Sequence, residues 1–345
     1  MLINISVFKK VIFIIAIVLI CLAILSLILF VSVSGKANEN DYWKMTDEFD
    51  LSALDTIEVE GEDFKILQLT DLHYYMPHMT NETDNVVKTL VKENNPDMIV
   101  ITGDSVFGPT NLIYTEHVVE LMDSFGIPWA IVYGNHDDEG KADKFWMGEK
   151  YENAKNCLYH NGPYNIGGTG NYVVNLTKDG EPFYSLFMLD SNTYMTYEGK
   201  REYACFEMGQ IAWYEWMTTN LINNGFDKSM MFFHIPLVQY ATAYDEWEES
   251  GFDENIGFGE KREDVCCAPV DTGMFDMIKK LGSTTHTFAG HDHVNNFSVE
   301  YQGVVLSYGL KSSKQFYNDK DLLGGTIITI KGDKSVDIEH KYVKA

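Results

Sequence analysis

An asparagine and a histidine stand side by side after an apolar run, in the order Gly134-Asn135-His136-Asp137. The run before them, 128–132, is typical of a buried strand that ends in a tight turn, and glycine lets the backbone turn sharply. The Asn135 amide offers a neutral oxygen that can bind a hard cation, and the His136 imidazole can carry a proton near neutral pH. This pairing is suited to metal-assisted proton transfer.

Four other apolar runs also end in acidic or histidine side chains. They lead into Asp71-Leu72-His73, Gly103-Asp104, His234-Ile235-Pro236 and Gly290-His291-Asp292-His293. Open α/β sheets bind their ligands at the carboxyl ends of strands, so five such ends at one edge would gather these side chains. Because so many buried carboxylates and imidazoles are costly to hold together unless cations neutralise them, the pattern favours a metal site.

The segments between these motifs alternate between strand and helix patterns. Apolar residues recur at helical spacing in 86–91 and in 112–125, each time after a strand-end motif. The alternation predicts an α/β fold whose first sheet is mainly parallel. Strand patterns at 172–174 and 184–190 predict a second sheet, and the chain is strand-like after residue 304.

In this order, the motifs D-x-H, G-D, G-N-H-D, H and G-H-x-H resemble those of the calcineurin-like metallophosphoesterases, over residues 64–297. The resemblance implies an α/β fold of two packed mixed β-sheets flanked by helices, with two metal ions at the strand ends. It assigns the first ion to Asp71, His73 and His293, the second ion to Asn135, His234 and His291, the bridging position to Asp104, and the place beside the scissile phosphate to His136.

Three stretches near the end of the match, 261–263, 271–275 and 290–297, resemble single-domain relatives of the purple acid phosphatases. Two positions depart from true purple acid phosphatases. His73 stands where those enzymes have glycine, and Phe107 stands where they have an iron-binding tyrosine. A tyrosinate–iron(III) pair is therefore not expected. Carboxylate, amide and imidazole ligands suit two divalent or mixed-valence ions of Mn, Fe or Zn and do not select among them.

The ligand set and the resemblance together imply hydrolysis of phosphate esters by a hydroxide that bridges the two ions. His136 would stabilise the developing charge or protonate the leaving oxygen. Phosphatase and phosphodiesterase activities both stay open, as does the substrate. The alternative from another class is a cell-surface binding protein that keeps the fold and metals only as structure, and the presence of His136 beside a complete ligand set argues against it.

The N-terminus carries Lys9-Lys10 followed by an uncharged, largely apolar run. A spanning helix needs about 20 apolar residues, whereas the core of a cleaved signal has about 7–15. The positive-inside rule places the lysines in the cytoplasm. We therefore predict a single-pass protein of the cell membrane, with a cytoplasmic N-terminus (1–10), a transmembrane signal anchor (11–34), a linker (35–63) and an extracytoplasmic catalytic domain (64–345). Cleavage near Gly35, which would release a secreted protein, is the alternative.

The chain has 345 residues, 45% of them hydrophobic, which supports one large domain with appendages. Its formal charge of −25 argues against nucleic-acid binding, because such a surface repels phosphate backbones. The expected partners are a phosphate-ester substrate and a membrane, reached through the N-terminal helix. The oligomeric state stays open.

Two segments, 194–206 and 239–264, are rich in aromatic and charged residues and lie outside the motifs. Each is either a lid over the strand ends or a solvated loop packed by its own aromatics. Lys261-Arg262 could bind a substrate phosphate or neutralise nearby acids. Asp137 could orient His136 or cap a helix, and capping is favoured for Asp138.

Overall fold

The computed structural model describes residues 13–20 and 32–344. Residues 13–20, inside the apolar N-terminal run, are helical and form α1. The predicted cytoplasmic segment, 1–10, lies outside the described residues, as does most of the predicted span, 11–34. Within the described ranges, no helix combines the length and the apolar character that crossing a bilayer requires.

The described strands form an eight-stranded sheet, a five-stranded sheet and a two-stranded hairpin. In chain order they are β1 (Asp55–Glu58), β2 (Phe64–Leu69), β3 (Met98–Thr102), β4 (Trp129–Val132), β5 (Tyr172–Lys178), β6 (Glu181–Met188), β7 (Tyr194–Tyr197), β8 (Lys200–Tyr203), β9 (Ser229–Phe232), β10 (Gly257–Phe258), β11 (Thr284–Ala289), β12 (Ser298–Tyr301), β13 (Val304–Tyr308), β14 (Gly324–Ile330) and β15 (Val336–Tyr342). The larger sheet has the order β1-β5-β6-β9-β11-β13-β12-β10, and the smaller has the order β15-β14-β2-β3-β4.

The helices after α1 are α2 (Thr80–Asn94), α3 (Asn111–Asp123), α4 (Lys144–Glu152), α5 (Met208–Asn223), α6 (Gln239–Glu249) and α7 (Met274–Leu281). Helices α2 and α3 pack on the core that includes the five-stranded sheet, to which they contribute Val87 and Met122. Helices α5, α6 and α7 pack against the eight-stranded sheet. They contribute Tyr214, Tyr240 and Ile278 to the hydrophobic core between the sheet and the helices.

The eight-stranded sheet is buried on both faces, because successive side chains of a strand point to opposite sides. Val174 of β5 and Leu186 of β6 lie in the core that also contains the five-stranded sheet. Their neighbours Val173 and Phe187 lie in the core covered by helices. Both sheets contain parallel and antiparallel pairs. The predicted α/β fold with mixed sheets is confirmed.

The strands that precede the site motifs run parallel within each sheet. In the smaller sheet, β2 pairs with β3 and β3 with β4, so the chain leaves all three strands at one edge. In the larger sheet, β9 and β11 are parallel neighbours. Burial on both faces favours apolar residues at successive positions, which is why β3 and β4 read as apolar runs rather than as alternating patterns.

Part of the predicted linker belongs to the sheet. Residues Asp55–Glu58 form β1, which pairs in parallel with β5 and places Asp55 opposite Val174. The linker prediction, 35–63, is therefore wrong for this part of the chain. Strand β1 lies at the edge of its sheet and alternates between half-buried and exposed residues, so no strong apolar pattern marks it in the sequence.

The chain before β1 also packs on the domain. The rings of Trp43 and Phe49 meet Trp216 of α5 edge to face, with centroids 5.8 and 5.7 Å apart. The backbone N–H of Trp43 donates to Asn165 Oδ1 at 2.9 Å, and Asn165 Nδ2 donates back to the Trp43 carbonyl at 2.8 Å. These contacts hold the segment to the surface instead of leaving it as a free tether.

Trp43→Ala should lower the free energy of unfolding by about 1–2 kcal/mol, because it removes an aromatic pair and half-buried apolar area. Urea denaturation of the purified protein measures this change. Met45→Ala is the matched control, since Met45 is 62% exposed two residues further on. A loss for Trp43→Ala no greater than that of the control would show that the segment is not docked.

Candidate metal centre

The strand-end side chains come together in three groups. Within each group, the possible ligand atoms lie within 4.8 Å of one another. The groups are Asp71, His73 and His293; His73, Asp104 and His136; and Asp104, His234 and His291. Every member is buried except His136, which is half-buried. The structure thus brings together the titratable side chains that the sequence singled out.

Asp104 is shared by two of these groups. Its Oδ2 atom lies 3.1 Å from His73 Nε2 and 3.2 Å from His234 Nε2. Its Oδ1 atom accepts a hydrogen bond from the His136 backbone N–H at 2.8 Å. On the His73 side, Asp71 Oδ1 lies 3.3 Å from His293 Nε2. Asp104 therefore lies between two clusters of ligand atoms, where a bridging carboxylate would have to be.

Several candidate ligands have strained backbones. The φ angles are 54° at Asp71, 47° at His73, 49° at Asp104 and 78° at His291. Residues other than glycine rarely adopt this left-handed region, which costs of order 1–3 kcal/mol and recurs at functional sites. The turns follow β2, β3 and β11 directly, so the surrounding packing holds these side chains at the strand ends at the expense of local strain.

Two glycines allow the strand-end loops to approach one another. A Cβ at Gly134 would lie 2.1 Å from Asp104 Oδ1, and one at Gly103 would lie 2.5 Å from His234 Nδ1. Gly103 also has a φ of 86°. Any larger residue at either position would displace a candidate ligand, which gives the G-D and G-N-H-D motifs a physical reason for their glycines.

Backbone carbonyls fix the proton positions of two histidines. His234 Nδ1 lies 2.8 Å from the carbonyl oxygen of Thr102, and His293 Nδ1 lies 2.9 Å from that of Tyr317. A carbonyl can only accept, so Nδ1 carries the proton in each ring. In the neutral ring Nε2 then has a free lone pair, and it is Nε2 that faces Asp104 or Asp71.

The electrostatic environment of the site favours additional positive charge. Burial disfavours the charged form of Asp104, but His234 and His73 outweigh it and hold the pKa of Asp104 well below its usual value. Burial also opposes protonation of His234, yet Asp104 raises the pKa of His234 to about 9. Burial lowers the pKa of His291 to about 3, and the neighbouring His234 adds to this. The proton on His234 supplies charge that a cation would supply instead, so metal binding should release protons.

Three buried atoms of candidate ligands have no hydrogen-bond partner within the described part of the chain: Asp71 Oδ1, Asn135 Oδ1 and His291 Nε2. An unpaired buried polar atom costs about 1–3 kcal/mol. Asn135 Nδ2 donates to the Tyr194 hydroxyl at 3.1 Å, which fixes the amide and leaves Oδ1 without a donor. A cation at this place would satisfy such atoms, so the residues fit the metal ions that the family resemblance implies.

Asp137 holds two strand-end loops together. Its Oδ2 accepts from the backbone N–H groups of Asp104 and Gly134 at 2.9 and 2.7 Å. Its Oδ1 accepts from the Ser105 hydroxyl and from the Val106 N–H. It neither caps a helix nor contacts the His136 ring by a described hydrogen bond. Its role is to fix the loop that carries Asp104.

Two other acids near the motifs have structural roles. The predicted capping role of Asp138 is wrong, because α4 begins later, and Asp143 caps it by accepting from the Trp146 N–H at 2.8 Å. Asp292 points away from the ligands and accepts hydrogen bonds from the Tyr308 hydroxyl and the Cys266 N–H.

Lys311 is a site residue that the sequence analysis missed. Its buried Nζ lies 3.0 Å from the Asp71 carbonyl oxygen and 2.9 Å from His73 Nδ1. If His73 offers Nε2 to a cation, its Nδ1 carries the proton. Lys311 Nζ must then be a neutral amine that accepts a hydrogen bond from Nδ1–H. Burial lowers the pKa of Lys311 to about 8, which makes the neutral amine accessible. In the sequence, Lys311 is marked only by its position shortly after β13, and a lysine at such a position does not indicate a metal site.

His136 lies at the opening of the site. Its side chain is 28% exposed, and its Nδ1 lies 2.7 Å from Glu139 Oε2. The phenyl ring of Phe107 lies beside it, with centroids 4.6 Å apart, and 5.9 Å from the ring of His73. Phe107 therefore sits against the ligands but offers no phenolate oxygen.

The segment 194–206 forms the β7–β8 hairpin, which overhangs the site. Besides the Tyr194 contact with Asn135, the Tyr203 ring meets His291 edge to face at a centroid distance of 4.4 Å. The Arg201 guanidinium stacks 3.5 Å above the Tyr194 ring. The hairpin covers the side of the site formed by Asn135 and His291, which favours the lid interpretation for this segment.

The segment 239–264 is partly built into the core rather than placed over the site. Its first half is α6, whose Tyr240 and Trp247 are buried in the helix-covered core. The pair Lys261-Arg262 takes the neutralising role, since Lys261 lies 3.1 Å from an oxygen of Asp245 and Arg262 pairs with two acids, Glu260 and Asp319.

Tyr194→Phe should weaken binding of one metal ion by about 10–100-fold, because the hydroxyl that orients the Asn135 amide is removed. Calorimetric titration of the metal-free protein with Mn²⁺ measures both affinities. Tyr197→Phe, on the exposed end of the same hairpin, is the matched control. Equal affinities in the two variants would rule out a positioning role for Tyr194.

Comparison with known proteins gives a family and several similar chains. The family model for calcineurin-like phosphoesterase matches residues 64–295. The chain is 29% identical over 289 residues to probable inactive purple acid phosphatase 14 of Arabidopsis thaliana, covering 71% of this chain and 69% of that protein. It is 28% identical over 279 residues to phosphatase DCR2 of Saccharomyces cerevisiae, covering 70% of this chain and 46% of that protein.

A solved structure supports the fold independently. A dimetal phosphatase from Danio rerio aligns with a TM-score of 0.50 at 11% identity, over 80% of this chain and 98% of that chain. The family match covers most of the chain and includes the strand-end motifs from Asp71 to His293. The chain belongs to the calcineurin-like phosphoesterase family, and its relatives include purple acid phosphatase-like proteins.

Proposed function

We propose that the protein is a membrane-tethered phosphoesterase that uses two metal ions to hydrolyse phosphate esters. The observation that carries the proposal is the position of Asp104, whose carboxylate belongs to two separate groups of ligand atoms. One carboxylate shared between two clusters is the arrangement that a binuclear centre requires. The half-buried His136 stands beside it at the opening, where a substrate would enter.

The first ion is assigned to Asp71, His73 and His293, the second to Asn135, His234 and His291, and Asp104 is assigned to both. Two ions of Mn, Fe or Zn would supply an activated water and a clamp for the phosphoryl oxygens. The protein's own contribution is to hold seven ligand side chains on strand ends that the sheets keep in place.

His136 is the proposed catalytic residue. The Glu139 carboxylate can only accept a hydrogen bond, so His136 Nδ1 carries the proton in their 2.7 Å contact. A ring nitrogen of His136 lies within 4.8 Å of the ligand atoms of His73 and Asp104. From there a protonated ring can stabilise charge on the phosphoryl group or donate its proton to the leaving oxygen.

A second candidate function is a cell-surface binding protein in which the metals only support the fold. It is favoured by the names of three relatives from Arabidopsis thaliana, which are called probable inactive purple acid phosphatases. Metal-dependent release of p-nitrophenol distinguishes the candidates. Using p-nitrophenyl phosphate and bis-p-nitrophenyl phosphate in parallel also separates monoesterase from diesterase activity.

The membrane tether is proposed from the sequence. The run from Val11 to Val33 carries no charged residue and follows Lys9-Lys10. Each charge at the centre of a span would cost about 2.5–3.5 kcal/mol on insertion scales, so an uncharged run inserts readily. The lysines would hold the N-terminus inside, and the catalytic domain would face extracytoplasmic esters.

The reconstituted protein should bind two transition-metal ions, and Asp104→Asn should remove at least one of them together with activity. His136→Gln is the matched control: it should keep both ions but lower kcat by about 10²–10⁴-fold, because only the proton donor is lost. Elemental analysis and ester hydrolysis measure the two effects. Binding of no more than one ion by the wild-type chain would disprove the binuclear centre.

Protease added to intact cells should remove the domain, because the proposed topology places residues 35–345 outside the cytoplasmic membrane. Any outer membrane must first be permeabilised. A cytoplasmic marker protein is the control for cell integrity. Complete protection of the domain would reverse the orientation, and a mature chain that begins near Gly35 would convert the anchor into a cleaved signal.

A further inference from the structure

The end of the apolar N-terminal run is fixed to the loop that follows His136 in the chain. Val33, the last residue of the run, forms a parallel β-bridge with Ala142. Its N–H donates to the Lys141 carbonyl at 2.8 Å, and its carbonyl accepts from the Asp143 N–H at 3.2 Å. The next contact follows at once, because the Gly35 N–H donates to Asp143 Oδ1 at 3.0 Å. We call residues 33–35 and 141–143 the clamp.

The clamp lies close to the proposed catalytic residue. Asn111 Nδ2 donates to the Ala142 carbonyl at 2.8 Å and to the Asp137 carbonyl at 3.0 Å, so one amide joins the clamp to the residue after His136. Asn111 Oδ1 also accepts from the Lys141 N–H at 3.0 Å. The Asn111 amide therefore connects the clamp, where the chain leaves the apolar run, to the loop that carries His136.

Because the clamp begins at Val33, no flexible linker separates the proposed span from the domain that carries the site. A bilayer has a hydrocarbon core about 30 Å thick and a headgroup region about 5–8 Å deep on each side. If the run spans the hydrocarbon, Val33 lies at its boundary, and the residues paired with Val33 lie at headgroup depth. The site opening next to them is then held at the level where lipid phosphates lie.

Two basic and two exposed apolar or aromatic side chains occur on elements that neighbour the clamp in sequence or by contact, although the same hairpin also carries Glu198 and Glu202. The tip of the β7–β8 hairpin carries Lys200 and Arg201, and Arg201 approaches Glu139 at 3.8 Å, beside the clamp. Tyr197 on the same tip is 37% exposed, and Ile113, two residues after Asn111, is 69% exposed. Basic and aromatic side chains are favoured at bilayer interfaces, and here they occur on a chain whose formal charge is −25.

The geometry points to a substrate class for the same site: phosphate esters of membrane lipids, hydrolysed in the headgroup layer of the membrane that carries the anchor. The inference rests on the phosphoesterase activity and tether proposed above. In the reaction, water adds to phosphorus and the P–O bond to the lipid alcohol breaks. The leaving oxygen takes a proton, for which His136 is the proposed donor. No further reactant is needed.

The test uses the full chain reconstituted in phosphatidylcholine vesicles with defined metal. Long-chain phosphatidic acid and phosphatidylglycerol serve as the lipid monoester and diester, and their water-soluble dihexanoyl forms serve as the matched esters. The variant carries a helical spacer of about 15 residues between Val31 and Ser32, which lifts the domain by about 20 Å and leaves the clamp intact. The control carries the same spacer before Lys9, on the other side of the span.

We expect the Val31–Ser32 spacer to lower hydrolysis of the long-chain esters by about tenfold or more, because it reduces the local concentration of lipid phosphate at the site. Hydrolysis of the dihexanoyl esters should be unchanged, and the control spacer should change neither. Hydrolysis of only the short-chain esters, or equal long-chain rates with both spacers, would overturn the lipid assignment and leave the phosphoesterase proposal standing. No hydrolysis of any ester, including p-nitrophenyl phosphate, would refute the proposed function itself.

Discussion

The buried carboxylates of Asp71 and Asp104 impose the constraint on which the rest of the site depends. Both are almost wholly removed from water, and charge cannot be buried in this way without compensation. Histidines surround them, and Asp104 raises the pKa of His234 to about 9, which shows how strongly the cluster attracts positive charge. Among the described residues, Asp71 Oδ1, Asn135 Oδ1 and His291 Nε2 find no hydrogen-bond partner, so a proton alone does not satisfy every atom. Cations would resolve both problems at once.

The fold meets this constraint by stopping parallel strands at one edge and turning each chain abruptly. The left-handed backbone at Asp71 and Asp104 stores strain that the two packed cores must support. Close approach of the loops requires glycine at Gly134, and Asp137 then ties that loop to the Asp104 loop. The stability of the sheets is thereby used to hold an arrangement of charges that is locally unfavourable.

The sequence predicted the mixed-sheet fold and singled out the side chains that the structure brings together, because both follow from local patterns, an apolar run followed at once by a polar motif. What it missed depends on contacts distant in the chain. Lys311 reaches His73 from 238 residues away, and β1 is held by its neighbour in the sheet rather than by an apolar face. The error at Asp138 has a similar cause, since the loop before α4 is longer than the motif suggests and receives Val33 as a partner.

Anomalous X-ray diffraction from crystals of the Mn²⁺-loaded protein can show whether two ions share Asp104. We expect two manganese peaks about 3.5–4 Å apart, one on each side of the Asp104 carboxylate. One peak should lie next to Asp71, His73 and His293, and the other next to Asn135, His234 and His291. A single peak, or peaks that do not touch Asp104, would contradict the account.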